Sequence, residues 1–123
     1  MLLVYNLADM EIVSEIITLN ELRQMAANLF GNMVKAVVDI DRELFAVEAE
    51  LHSDLEALLL ENGSKQKSIW GINLYPELCG GSEFIEFDSM INIRPSQGNL
   101  SRGIDDEKTR AQIVDIVSKR VKS

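Results

Sequence analysis

Apolar and polar positions along the chain switch between periods of about two and about 3.6 residues, and each switch marks an expected element. Residues 11–17 read as a short first strand. Thr18-Leu19-Asn20-Glu21 then has the form of a capping box, with Thr at the N-cap and Glu three positions on. Leu22, Met25, Ala26 and Leu29 follow at helical spacing, and Gly31 stands where a left-handed cap belongs, so the pattern predicts a helix over 19–30. Residues 33–40 are β-branched and apolar, Asp41-Arg42-Glu43 is a polar break, and residues 44–51 alternate, which together predict a hairpin. In its second arm Phe45, Val47, Ala49 and Leu51 share one face, and Ala46, Glu48, Glu50 and His52 the other.

Ser53-Asp54-Leu55-Glu56 is a second capping box, followed by a Leu55, Leu58, Leu59 stripe and a stop at Asn62-Gly63. Residues 68–75 form a strand closed by Pro76, with Trp70, Ile72 and Leu74 on one face. After a turn over 77–82, residues 84–93 are the longest alternating run, with Glu86, Asp88 and Asn92 opposite Ile85, Phe87 and Ile91. A polar loop over 94–103 leads to a last helix. Asp105-Asp106-Glu107 opens it, Ile113, Val114, Val117 and Val121 form its stripe, and Lys119, Arg120 and Lys122 complement its negative end. The order is β-α-β-β-α-β-β-α. It predicts a single α+β domain with one mostly antiparallel sheet of about five strands and three amphipathic helices on one face, the other face being polar and open to solvent or a partner.

Composition narrows the function classes. With 123 residues, 46% hydrophobic and 26% charged, the chain is long enough for one self-sufficient core. The formal charge of −8 is uneven: residues 1–62 hold twelve acids and three bases, residues 63–123 eight acids and nine bases. Such an acidic balance opposes nucleic-acid binding and adsorption to anionic membranes. Residues 1–10 lack a basic leader segment and read as a ragged extension, with Met10 an alternative start. One cysteine, Cys79, cannot make an internal disulfide, and a cytoplasmic location is expected.

Three sets of residues carry candidate chemistry. The loop holding Arg94, Ser96, Gln97, Asn99, Ser101 and Arg102, with Gly98 and Gly103, could clasp a small anion through guanidinium forks and backbone N–H groups. The same composition also suits a purely structural loop, its arginines paired to nearby acids. Glu48, Glu50 and His52 stand at i, i+2, i+4 and could ligate a divalent metal such as Mg²⁺ or Mn²⁺, although no metal motif is present. Glu86, Asp88 and His52 could supply acid–base groups. Trp70 shares parity with core residues, whereas Tyr75 is freer to meet a ligand.

The stretches Ile69-Trp70-Gly71-Ile72-Asn73-Leu74-Tyr75-Pro76 and Phe84 to Pro95, with Glu61-Asn62-Gly63-Ser64-Lys65-Gln66 and Ser96-Gln97-Gly98-Asn99, resemble a family of small prokaryotic proteins classed as a domain of unknown function. The resemblance covers most of the chain from about Ile12 onward. It implies no activity, cofactor or catalytic residue, and it fits one compact prokaryotic domain.

Two functional expectations follow. The first is a binding or interaction module that self-associates, or meets another protein, through the sheet and holds an anion at the 94–103 loop. The second is a small enzyme, a metal-assisted hydrolase or isomerase. There Arg94 and Arg102 clamp an anionic substrate, and Glu86, Asp88 or His52 serve as acid–base groups or metal ligands.

Overall fold

The computed structural model describes residues 9–123; the expected N-terminal extension therefore lies outside the described residues up to Ala8. Five strands form the main sheet in the order β1-β4-β3-β5-β6, all neighbours antiparallel: β1 (Glu11–Val13), β3 (Val34–Asp39), β4 (Leu44–Val47), β5 (Ile69–Leu74) and β6 (Ile85–Glu86). Two very short strands, β2 (Ile17–Thr18) and β7 (Val121–Lys122), pair in parallel as a separate clip. Among the described residues three α-helices complete the α+β fold: α1 (Leu19–Leu29), α2 (His52–Glu61) and α3 (Glu107–Arg120).

Local signals explain most boundaries. Thr18 caps α1 with both halves of the capping box in place, and Gly31 takes the left-handed φ of 92°. Asp39 Oδ1 accepts from the backbone N–H groups of Asp41 and Arg42, which turns the β3–β4 hairpin. Asp106 caps α3 by accepting from the Thr109 backbone and hydroxyl. The second capping box does not form. α2 starts at His52 with Leu51 as its uncapped N-cap residue, so Ser53 lies inside the first turn.

The helices do not share one face. Val34, Ala36 and Val38 of β3 pack with Phe45, Val47, Trp70, Ile72 and Leu74 against Leu22, Met25 and Ala26 of α1 and Ile113, Ile116 and Val117 of α3. The opposite face, through Val37, Ala46 and Ile69, packs against Leu55 and Leu59 of α2. The sheet face expected to be open is thus covered by a helix over its middle strands. The reason is visible in β3, where Val37 and Val38 point to opposite faces and both are fully buried. A strand buried on both sides needs a layer on each, and each fully buried Val or Leu contributes about 1.5–3 kcal/mol. The α3 stripe also differs: Ile116 is buried and Val114 is exposed, and Val121 lies beyond the helix in β7.

The expected strand over 84–93 pairs only at Ile85–Glu86. Beyond it the chain passes close over Gly71, where an added Cβ would lie 2.5 Å from Ser89 Cβ. Ser89 Oγ then accepts from the Ile91 N–H and starts a 3₁₀ turn at Met90–Asn92. The side chain of Asn92 takes the place of a neighbouring strand, with Oδ1 accepting from Gly71 N–H (2.8 Å) and Nδ2 donating to Gly71 O (2.9 Å).

Candidate functional site

Where α2 begins, the sheet face it covers opens into a cleft of about 490 Å³. Lys35 reaches it from β3, His52 and Ser53 from the first turn of α2, and Asn73 and Tyr75 from the end of β5. Glu86, Asp88 and Arg102 come from the segments beyond. Lys35, Asn73 and Glu86 form one cross-strand row, because Lys35 faces Asn73 and Asn73 faces Glu86 in the sheet register. They share a face by alternation.

Each charged group in the cleft is held in place. Glu86 Oε1 accepts from Asn73 Nδ2 (2.9 Å) and from the Tyr75 hydroxyl (2.9 Å). Burial, followed by the neighbouring Glu86 carboxylate, raises the Tyr75 pKa, so the phenol stays protonated and donates. Arg102 grips Asp88 with two donors, at 2.7 and 3.3 Å. The Lys35 ammonium lies over the Phe30 ring, 5.1 Å from its centroid, and among the described residues has no carboxylate within ion-pair distance.

His52 is 8% exposed, and its Nε2 lies 2.8 Å from the Ile72 carbonyl oxygen. A carbonyl only accepts, so Nε2 carries the proton and Nδ1 keeps its lone pair in the neutral ring. Burial lowers the imidazole pKa, opposed by the bond to Ile72; the Lys35 charge lowers it further, and Asp88 and the Asn73 side chain oppose that. Asn73 is 5% exposed, and its Oδ1 is a buried acceptor with no hydrogen-bond partner.

The two loop arginines separate. Arg94 is 8% exposed and stacks on Trp70, its guanidinium carbon 4.6 Å from the ring centroid. Its donors go to backbone carbonyls of Ile91 (3.0 Å), Gln66 (2.8 Å) and Ile69, with the Glu56 carboxylate 3.9 Å away. It is part of the fold and does not line the cleft, so it forms no clamp with Arg102 there. Asn99 is also committed to the loop: Nδ2 donates to the carbonyls of Asn92, Ser101 and Gly103, and Oδ1 accepts from Asp105 N–H. Gln97 donates to Lys67 O, and Ser101 donates to Asp105. Ser96 is exposed in the 3₁₀ turn Pro95–Gln97.

Glu48, Glu50 and His52 do not line up either. β4 ends at Val47, and Glu48 turns the chain with a φ of 74°, which breaks the alternation that would have placed the three on one face. Burial raises the Glu48 pKa, as do Asp9 and Glu11. Among the described residues no three His, Cys, Asp or Glu side chains are grouped to hold a metal ion. His52, Glu86 and Asp88 do converge on the cleft. Lys35 and Asn73 were missed in the sequence; the available signal was a polar residue at matching parity within each of two largely apolar strands.

A family model for a protein of unknown function (DUF5674) matches residues 11–120. The chain belongs to this family. The match runs from β1 to the last residue of α3, so the cleft lies wholly within the family domain. No curated protein and no solved structure matches the family member described here. Among the described residues, no helix is long and apolar enough to cross a membrane.

Proposed function

We propose that this domain binds a small polar metabolite in the cleft at the start of α2. The observation that carries the reading is the convergence of Lys35, His52, Asn73, Glu86 and Arg102, from five separate segments, on one concavity. Charged groups of both signs, pinned by neighbours and lining one recess, are what a recognition site for a polar ligand requires. An anion expected at the 94–103 loop is moved by this reading onto Lys35, because Arg102 is paired with Asp88. The free, exposed Cys79 suits the reducing cytoplasm, where we place the protein.

The test is a metabolite screen against the ¹⁵N-labelled chain. Hits whose amide shifts cluster at residues 35, 52, 73, 86 and 102 support the site. Hits that cluster elsewhere, or none at all, overturn it. Native mass spectrometry of the freshly purified protein adds the subunit count and any retained metal or small molecule. It thereby tests self-association, which we propose only through surfaces other than the α2-covered face.

A second reading, proton-transfer catalysis, is favoured by the His52 tautomer. Its Nε2–H is tied to Ile72, which leaves Nδ1 as the basic atom of a ring that lines the same cleft as Asn73 and Glu86. Under this reading His52→Gln lowers turnover of bound ligand far more than it weakens binding. Unchanged turnover would exclude it.

A further inference from the structure

The Lys35–Asn73–Glu86 row poses a specific chemical question. Adjacent antiparallel strands lie about 4.8 Å apart, so the Cα atoms of Lys35 and Glu86 are about 10 Å apart, with Asn73 between them. A lysine and a glutamate at that separation on one face could meet directly. They do not: the ammonium is drawn onto Phe30, and the carboxylate is held by Asn73 and Tyr75. The two opposite charges are therefore held apart, with Asn73 between them in the row.

We propose that this gap takes a free amino acid, its carboxylate on Lys35 and its ammonium on Glu86. The inference rests on the cleft being the ligand site and names the ligand class. Charge balance supports a zwitterion. The cleft holds two cations, Lys35 and Arg102, and two carboxylates, Glu86 and Asp88, so a ligand of either net charge would leave one pole uncompensated. Arg102 and Asp88 already satisfy one another at the rim, so the unsaturated poles are Lys35 and Glu86.

The experiment is an amide-shift titration of the full chain with the twenty protein amino acids, first pooled and then singly. Each hit is followed by its N-acetyl and carboxamide derivatives. The expected result is saturable binding of at least one free amino acid, weakened at least tenfold by blocking either end. Lys35→Gln and Glu86→Gln should each weaken that hit at least tenfold, and Lys35→Arg should retain it, with melting temperatures of all variants within a few degrees of the parent. Equal binding of the N-acetyl derivative would overturn the zwitterion in favour of an anion alone, leaving the cleft as a ligand site. No response to any of the twenty overturns the amino-acid assignment, while the broader metabolite screen judges the cleft itself.

Discussion

The Asn92 side chain completes the hydrogen bonding of one residue of β5: its carboxamide both accepts from and donates to the backbone of Gly71, and it is fully buried. A third bond, from Nδ2 to Arg102 O at 3.0 Å, ties the same amide to the loop that carries the rim arginine. Asn92→Ala leaves the Gly71 N–H and C=O unpaired in the interior. The expected loss is about 2–4 kcal/mol in urea denaturation, since each orphaned buried group costs about 1–3 kcal/mol. Asn92→Asp keeps the acceptor, removes the donor and introduces a buried charge, so it should be at least as damaging.

Gly71 matters for space as well as for its backbone groups. A methyl group there meets Ser89 Cβ at 2.5 Å and Ser89 Oγ at 2.7 Å. Gly71→Ala should cost about 1–3 kcal/mol by overpacking, and it should displace Ser89 together with its neighbour Asp88 at the cleft. The double variant Gly71→Ala/Ser89→Gly removes the clashing atoms and should recover part of the loss in thermal unfolding. If it is no more stable than Gly71→Ala alone, the steric explanation is wrong.

Arg94 tests the division between structural and binding arginines. Arg94→Lys replaces a planar fork with a single ammonium, which cannot serve the carbonyls of Ile91, Gln66 and Ile69 together or stack on Trp70 in the same way. A stability loss of about 2–3 kcal/mol is expected, with a change in Trp70 fluorescence in the folded state. Arg102→Lys, at an exposed ion pair, should change stability by under about 1 kcal/mol.

His52 gives stability a pH dependence of defined sign. Its pKa in the folded chain is lowered by burial, so the unfolded chain binds the proton more readily. The contribution is complete above the unfolded value of about 6.5 and is lost as pH falls through the lower folded value. Denaturation midpoints should therefore fall as pH drops below about 6.5, and His52→Gln should flatten that part of the profile. An NMR titration placing the His52 pKa above the unfolded value would reverse the sign and refute the account.

The local grammar of the chain was legible in the sequence. Thr18 with Glu21, the β-branched run over 33–40 with the alternation that starts at Leu44, Asn62-Gly63, and Asp106 before the last helix each act through contacts a few residues apart, so nearest-neighbour patterns determined α1, the β3–β4 hairpin, the end of α2 and the start of α3. His52, Glu86, Asp88 and Arg102 were legible as chemistry-bearing groups, and they meet in one cleft. Tertiary contacts decided the remainder. Ile85 to Ile93 alternates like a long strand, but pairing depends on what approaches the edge of β5, and Gly71 with Asn92 offered a closer-packed alternative. The double-sided burial of Val37 and Val38 put α2 opposite α1 and α3, a choice that period-two alternation alone does not encode. Arg94 and Arg102 look equivalent in the chain; one became core and the other rim because only Arg94 lies within reach of carbonyls left open by the strand and turns beneath it.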